Sequence, residues 1–338
     1  MKAYSSARDE FEGEAEVFLD ANENSIGSAT EGFYNRYPDP HHKALKEKWS
    51  TIKGVSADRI FFGNGSDEPI DLLIRLFCEP GLDHIITLPP TYGMYGVSSA
   101  INAVENVQVP LTRAFQLDVP ELKSKWTTNA KLLFLCSPNN PTGNLLGRED
   151  MLKVIQEFPG IVVVDEAYID FSSEPSWIEE LSNYRNLVVL QTLSKAWGMA
   201  GIRVGVAMAD PYIISMLEKI KPPYNLSQAN QELALQALQN ENKKKQQVEL
   251  LLTEREKLIP VLQEMKQVNE VIPSAANFLL VRFERAQELF EYLIANKVIV
   301  RNRTSNLNCE NGLRLTIGMP RENERLVELI KQFYRDRA

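Results

Sequence analysis

Four short apolar runs recur in the first two thirds of the chain, and each stops at a loop rich in proline, glycine or polar residues. The runs cover residues 85–88, 132–136, 161–164 and 187–190. Continuous runs of this length, rather than alternating ones, are typical of strands buried on both faces of a parallel sheet. Helical patterns lie between them, so the sequence predicts an α/β fold in which the loops after the strands carry ligand contacts.

The C-terminal third is organised differently. Pro222-Pro223 forms a break, and a long helical pattern then covers residues 227–266. Two strands and two helices are predicted beyond it, over residues 277–283, 312–318, 286–296 and 321–335. We therefore predict three units: an N-terminal arm (1–36) associated with the small domain, a large domain (37–226) and a small α+β domain (227–338).

The first of the strand-end loops opens directly into a helix. Arg59-Ile-Phe-Phe62 predicts a strand, and Gly63-Asn-Gly-Ser-Asp-Glu68 leads into a pattern with helical spacing. Free backbone N–H groups at such a helix start form an anion site, to which the Ser66 hydroxyl can add a donor. From the pattern alone, the alternative is an ordinary helix cap by Ser66 or Asp67.

Two later loops place a tyrosine and a carboxylate at strand ends. Tyr92 lies in Pro89-Pro-Thr-Tyr-Gly93, a stiff loop where α/β sheets bring ligand contacts. Asp165 ends the run Ile161-Val-Val-Val-Asp165, and a carboxylate after a fully apolar strand requires a partner that compensates its burial. From the patterns alone, Tyr92 is also compatible with a semi-buried core tyrosine and Asp165 with a helix cap.

The most specific segment is Gln191 to Gly205, QTLSKAWGMAGIRVG. It places Lys195 between two small hydroxyl residues, Thr192 and Ser194, directly after a predicted strand. The glycines that follow allow tight turns that return Arg203 to the same point. This setting is typical of a Schiff-base lysine beside an anion site. A lone Ser-Lys dipeptide, in contrast, usually marks a solvated lysine.

Composition and charge argue against several other classes of protein. The chain has 338 residues, of which 44% are hydrophobic and 24% charged, which is ordinary for a globular enzyme. The formal net charge of -8 argues against nucleic acid or an anionic membrane as a partner. Cys78, Cys136 and Cys309 are widely separated and lack metal-ligand spacing, so neither disulfides nor a zinc site is expected. The polar N-terminal segment and the lack of a long apolar run predict a cytoplasmic protein.

Three motifs together carry a family resemblance. The Lys195 segment, the Pro-Thr-Gly motif after Asn140, and Asp165-x-x-Tyr168 resemble those of fold-type I, pyridoxal-phosphate-dependent aminotransferases, in the subgroup of the histidinol-phosphate aminotransferases. The resemblance covers nearly the whole chain. It implies a large domain with a mostly parallel seven-stranded sheet, a smaller α+β domain, pyridoxal 5'-phosphate as cofactor, no metal, and a homodimer with shared active sites. It also implies transamination of L-histidinol phosphate with 2-oxoglutarate, giving imidazole acetol phosphate and glutamate.

By the same resemblance, each candidate residue receives a role. Lys195 is implied to link covalently to the cofactor and to move the substrate proton, while Asp165 pairs with the ring nitrogen. Asn140 and Tyr168 are implied to hydrogen-bond the phenolic oxygen, and Tyr92 to stack on the ring. The cofactor phosphate is expected to contact Ser66, Asp67, Thr192, Ser194, Arg203 and, from the neighbouring subunit, Tyr37.

Two arginines are implied to bind the substrate. Arg314, in a predicted strand with a leucine on either side, matches the family's carboxylate-binding arginine, and Arg301 matches a second one that holds an anionic group. From the strand pattern alone, Arg314 is equally compatible with an exposed position. The arm departs from the family at Asn22-Glu-Asn-Ser-Ile26, where an aromatic residue or proline is usual, and this leaves an arm contact to the substrate open.

Three other activities stay open from the sequence. They are an aromatic or broad-specificity aminotransferase, a decarboxylase of phosphorylated amino acids that uses the same cofactor, and a module that binds the cofactor without catalysis. The last fits least well, because Lys195 and Asp165 are both present together with their supporting residues.

Overall fold

A computed structural model describes residues 16–337, so the first part of the predicted arm, residues 1–15, lies outside the described residues. The described residues form a seven-stranded sheet and a four-stranded sheet. The strands of the first sheet are β1 (Ile60–Asn64), β2 (His84–Thr87), β3 (Glu105–Gln108), β4 (Ala130–Cys136), β5 (Ile161–Asp165), β6 (Leu187–Thr192) and β7 (Val204–Ala209).

The large sheet has the strand order β1-β7-β6-β5-β4-β2-β3. Strands β2 to β6 pair in parallel, whereas β7 runs antiparallel to both of its neighbours, β6 and β1. The predicted α/β fold with a mostly parallel seven-stranded sheet is therefore confirmed. Six helices accompany these strands along the chain: α1 (Lys43–Lys53), α2 (Asp67–Phe77), α3 (Met94–Ile101), α4 (Val119–Ser124), α5 (Arg148–Glu157) and α6 (Pro211–Ile220).

Burial of the sheet on both faces explains its continuous apolar runs. Successive side chains of a strand point to opposite faces, and in β5 Val162 and Val164 belong to one hydrophobic core while Val163 belongs to another. Each core forms under a layer of helices. The carboxyl ends of the parallel strands consequently remain the exposed edge at which loops can build a site.

The second sheet is antiparallel, with the order β10-β11-β9-β8. Its strands are β8 (Val268–Val271), β9 (Phe278–Phe283), β10 (Arg301–Asn302) and β11 (Gly312–Thr316). It is accompanied by α7 (Gln228–Gln239), α8 (Glu241–Gln263), α9 (Ala286–Ala295) and α10 (Pro320–Arg335). Leu313 and Leu315 enter the core beneath these helices, so Arg314 between them is directed to the opposite face, as the strand pattern predicts.

One predicted element differs from the structure. The helical pattern over residues 227–266 predicts one helix, but two are present, because the backbone of Asn240 leaves the helical conformation at φ -103° and ψ 43°. Its side-chain amide donates to the carbonyl oxygen of Gln236 at 2.7 Å. Asparagine competes in this way for backbone groups, which favours a helix end over helix continuation.

The three cysteines are buried and free. Among the described residues, no helix combines the length and apolar character that a membrane span needs. In the same part of the chain, no group of histidine, cysteine, aspartate and glutamate residues has the arrangement of a metal site.

Candidate active site

A cavity of about 560 Å³ lies where the carboxyl edge of the large sheet meets the arginine-bearing face of the small sheet. All but one of the residues singled out from the sequence line it: Ser66, Asp67, Tyr92, Asn140, Asp165, Tyr168, Thr192, Ser194, Lys195, Arg203, Arg301 and Arg314. They come from the turn between β1 and α2 and the start of that helix, from the loops after β2 and β4, from the ends of β5 and β6 and the loops that follow them, and from β10 and β11. Separate strand ends thus supply one site, which is the arrangement expected of a doubly wound sheet.

Lys195 lies in the loop that connects β6 to β7. Its Nζ is 5.5 Å from the centre of the Tyr168 ring. Burial lowers the pKa of Lys195, and the nearby positive charges of Arg314 and Arg203 lower it further against the opposing effect of Asp165. A lower pKa increases the neutral amine fraction, which is the form that attacks a carbonyl carbon. The setting therefore favours a nucleophilic lysine over a solvated one.

Asp165 is the last residue of β5 and is almost fully buried. Its Oδ2 accepts a hydrogen bond from the Tyr95 hydroxyl at 2.6 Å, and its Oδ1 accepts one from the Ala167 backbone N–H at 3.0 Å. Burial raises the pKa of Asp165, while these two hydrogen bonds act in the opposite direction. A cation placed beside the carboxylate would offset the cost of its burial, and a protonated ring nitrogen is such a cation.

The start of α2, at Ser66, borders a small space beside Lys195. We call this space, between Ser66, Ser194 and Arg203, the cradle. Ser66 caps this helix by position, but its side chain makes no capping hydrogen bond, so the simple cap interpretation does not hold for it. A Cβ atom on Gly205 would lie 2.2 Å from the Ser66 backbone nitrogen, and one on Gly65 would lie 2.5 Å from Nη2 of Arg203. Glycine at position 205 is required for the close approach of β7 to the Ser66 backbone, and Gly65, with φ 72°, leaves room for the Arg203 guanidinium.

Arg203 closes the cradle from the other side. Its backbone is left-handed, with φ 52° and ψ 55°. One guanidinium nitrogen, Nη2, lies 3.3 Å from Oδ2 of Asp67, and the other, Nη1, lies 3.5 Å from Oγ of Ser194. The hydroxyl of Tyr92 donates to Oδ1 of the same Asp67 at 2.9 Å. Backbone N–H groups, hydroxyls and a fixed guanidinium thus converge on a space suited to a phosphate group.

The opposite end of the cavity is lined by arginines. Arg301 of β10 is the direct cross-strand partner of Arg314 of β11. Nη1 of Arg314 forms a short hydrogen bond with Oδ1 of Asn140, which joins the small sheet to the loop after β4. Burial lowers the pKa of Arg314, and Arg301 lowers it further. These guanidinium groups create a positive pocket for an anionic group of a ligand.

Tyr37 lies outside this cavity in the described chain. It is exposed, and its ring stacks on Tyr224 with the centroids 4.4 Å apart and the planes at 15°. The expectation that it serves a neighbouring subunit stays a prediction.

Several polar side chains in or beside the cavity were not predicted from the sequence. Tyr95 binds Asp165 from α3, and Thr91, Arg303 and Asn306 line the cavity. Arg303 could have been predicted to face the cavity together with Arg301. It lies two residues after Arg301, and alternate residues of an extended chain share one face. Tyr95 offered none, because nothing in an eight-residue helix pattern shows which tyrosine reaches a strand 70 positions away.

The residues fit pyridoxal 5'-phosphate on three independent points. Lys195 can link to its carbonyl carbon, the buried Asp165 can pair with its ring nitrogen, and the glycine-bounded cradle can hold its phosphate. Together with the fold, they define a pyridoxal-phosphate enzyme of fold type I.

The chain belongs to the family of class I and II aminotransferases, whose family model matches residues 10–330. It is a pyridoxal-phosphate-dependent aminotransferase. The histidinol-phosphate aminotransferase of Cytophaga hutchinsonii is 50% identical over 332 residues, covering 98% of this chain and 95% of that protein. The protein of the same name from Parabacteroides distasonis is 52% identical over 334 residues, with coverage of 98% and 95%.

A solved structure shows the same fold. Histidinol-phosphate aminotransferase from Sinorhizobium meliloti, in complex with pyridoxal-5'-phosphate, superimposes with a TM-score of 0.83 at 24% identity, covering 94% of this chain and 90% of that one.

Proposed function

We propose that this aminotransferase transfers the amino group of L-histidinol phosphate to 2-oxoglutarate, giving imidazole acetol phosphate and glutamate in histidine biosynthesis. The observation that carries the proposal is the single cavity in which Lys195 and Asp165 face the paired Arg301 and Arg314. The names of relatives at 50% and 52% identity over nearly the whole chain support it further.

The residues around Lys195 suit proton transfer at the substrate carbon. When bound, the cofactor withdraws electrons from that carbon and so acidifies its proton. The pKa of Lys195 is lowered by burial, so the freed amine is a base that can take this proton and return it one position away. Burial raises the pKa of Tyr168, which keeps its hydroxyl protonated as a donor to the cofactor's phenolic oxygen.

The positive end of the cavity suits both amino donors. L-Histidinol phosphate carries a phosphate near its amine, and glutamate carries a carboxylate there. A guanidinium fork binds either group through two parallel hydrogen bonds. Arg314, with Arg301 beside it, is therefore proposed to serve both half-reactions, and Asn140 keeps Arg314 in place through its side-chain oxygen.

A homodimer with shared active sites is part of the proposal. Tyr37 is exposed in the single chain, and apolar side chains nearby in the arm are also exposed, Ile26 to 98% and Phe33 to 92%. Large exposed apolar side chains of this kind are typical of a surface that a partner covers. We propose that Tyr37 reaches the cofactor phosphate held by the second subunit.

We also propose the domain limits and the cytoplasmic location that the sequence predicts. The two sheets fall on either side of residue 227, which supports a large domain over residues 37–226 and a small one over 227–338. The association of the arm with the small domain and the cytoplasmic location stay predictions.

A donor panel tests the proposed function. Purified holoenzyme is mixed in single-turnover assays with L-histidinol phosphate, phenylalanine or threonine phosphate, and the change in the cofactor's visible absorption is followed. We expect the highest kcat/KM for L-histidinol phosphate, with glutamate formed when 2-oxoglutarate is added. Preference for phenylalanine would indicate an aromatic aminotransferase, and release of carbon dioxide from threonine phosphate would indicate a decarboxylase. Either result overturns the proposal.

A further inference from the structure

The cavity contains a third guanidinium that the proposed pair of substrate-binding arginines does not include. Arg303 lies two residues after Arg301, and its backbone N–H donates to the Gly312 carbonyl oxygen at 2.9 Å, which extends the ladder between β10 and β11. Alternate residues of an extended strand point to the same face. Arg301, Arg303 and Arg314 accordingly share one face of the small sheet, and all three line the cavity.

Arg303 is half-buried, and its guanidinium lies near those of Arg301 and Arg314. Its Nε is buried, and it has no hydrogen-bond partner among residues 16–337. Burial lowers the pKa of Arg303, and the charges of Arg314 and Arg301 lower it further. A buried donor without a partner, held close to charges of its own sign, is costly unless a ligand supplies an anion.

We propose that Arg303 is a specificity-determining residue, which binds the third oxygen of a substrate phosphate and so favours phosphorylated amine donors over carboxylate donors. The inference rests on the proposed function, because it assigns one more residue to the same substrate site. Asn306 lines the cavity in the loop that follows Arg303 and is a further neutral donor for the same oxygen.

The number of oxygens in each anion explains the selectivity. A carboxylate has two oxygens and one negative charge, and the fork of Arg314 satisfies both oxygens. A phosphate monoester has three free oxygens and a charge between about -1.5 and -2 at neutral pH. Its third oxygen and its additional charge require another cationic donor. Arg303 meets that requirement for phosphate and has no corresponding atom to bind in a carboxylate.

The competing interpretation is that Arg303 only shapes the small sheet. Removal of its side chain would then disturb Arg314 and weaken every donor to the same extent. The difference between phosphorylated and carboxylate ligands is therefore the informative quantity, rather than the loss of activity itself.

Single-turnover assays of the holoenzyme with L-histidinol phosphate and with L-glutamate measure this difference. Arg303→Gln is expected to lower kcat/KM for L-histidinol phosphate by about 10- to 100-fold, the range for losing a hydrogen bond to a charged group, and that for glutamate by less than about threefold. Arg321→Gln, which removes an exposed charge at the start of α10, is the matched control and should change neither value. Equal losses for the two donors, or no loss, would overturn the proposal.

A binding measurement keeps this inference separate from the proposed function. Methyl phosphate and acetate are tested as competitive inhibitors of the glutamate half-reaction. Arg303→Gln should weaken inhibition by methyl phosphate about tenfold or more and leave inhibition by acetate unchanged. If the wild-type protein rejects L-histidinol phosphate, the proposed function fails, yet the methyl phosphate comparison still decides the role of Arg303. Should the glutamine variant not melt cooperatively, Arg303→Lys replaces it, with a selective loss of at least about threefold expected.

Discussion

The hydroxyl of Tyr95 lies 2.6 Å from Oδ2 of Asp165, and both side chains are almost completely buried. The Tyr95 ring stacks on Phe134 with the centroids 4.6 Å apart, which fixes the hydroxyl in position. This hydrogen bond lowers the pKa of Asp165 against the larger effect of burial. Tyr95 thus positions the Asp165 carboxyl group and favours its ionised form, against the effect of burial, where the cofactor nitrogen is expected.

Tyr95→Phe should slow the half-reaction with glutamate by about 10- to 100-fold, because a hydrogen bond to a charged group contributes roughly 1.5–3 kcal/mol. Loss of the donor raises the pKa of Asp165, so less carboxylate is ionised to stabilise a protonated ring nitrogen. The measurement is the single-turnover rate as a function of pH. Tyr212→Phe, which alters an exposed tyrosine, is the control. A rate and pH profile equal to those of the wild type would show that Tyr95 has no such role.

Arg314→Lys should weaken both half-reactions, each by roughly 2–4 kcal/mol of transition-state binding. Lysine keeps the charge but cannot form the fork, and it also loses the contact between Nη1 of Arg314 and Asn140. Single-turnover rates with L-histidinol phosphate and with glutamate provide the measurement. Loss in only one half-reaction would mean that the two anions use different sites.

Shared active sites in a dimer predict complementation between two inactive variants. A Lys195→Ala subunit retains Tyr37, and a Tyr37→Ala subunit retains Lys195, so a hybrid dimer contains one site with both residues intact. Mixing the two variants after mild dissociation should restore activity well above that of either variant alone. A mixture of Arg203→Ala and Tyr37→Ala should give the same outcome, because each subunit retains the residue that the other lacks. Activity that never exceeds the sum of the separate variants would place Tyr37 in its own subunit's site or in none.

We predict that the burial of His42 makes the protein less stable in mild acid. Its ring is buried, neither ring nitrogen has a hydrogen-bond partner among the described residues, and burial lowers its pKa from the ordinary 6.5 to about 3. The unfolded chain binds this proton below pH 6.5 and the folded chain only near pH 3, so stability falls as the pH drops through that window. Between pH 7 and pH 5, protonation of His42 in the unfolded chain should lower the free energy of unfolding by about 2 kcal/mol.

The His42 effect is measured as the pH dependence of the free energy of unfolding in urea. His42→Asn suits the left-handed backbone at φ 53° and removes the titrating group. It should flatten the wild-type slope between pH 7 and 5 even if the variant is less stable at every pH. An unchanged slope would contradict the assignment, since His41 and His84 remain in both proteins.

Motifs at strand ends explain why most of the cavity could be predicted. Asp165 ends one strand of mostly apolar residues and Lys195 follows another, so both strands could be recognised and both residues had to lie at one edge of the sheet. The α/β pattern was predictable from the same apolar runs, whereas the seven-stranded sheet was implied by the family resemblance. Edge strands such as β3 and β8 were not, because they are partly exposed and carry polar residues.

Contacts between segments that are distant along the chain could not be predicted from the sequence. The pairing of Tyr95 with Asp165 spans 70 positions, and that of Arg314 with Asn140 spans 174. Each depends on how helices and the small sheet pack on the large sheet, which periodicity within one element does not reveal. The break at Asn240 was missed because a polar helix and a polar turn have similar compositions.

The most direct measurement compares glutamate formation by wild-type and Lys195→Ala proteins supplied with pyridoxal 5'-phosphate, L-histidinol phosphate and 2-oxoglutarate. We predict that the wild type forms glutamate, whereas the variant retains less than about a hundredth of that rate, because loss of a general base usually costs about 100-fold or more. The substitution leaves the residues of the phosphate cradle in place, so the variant should still bind part of the cofactor. A variant that keeps more than about a tenth of the wild-type rate, or a wild type that forms no glutamate, would contradict the account.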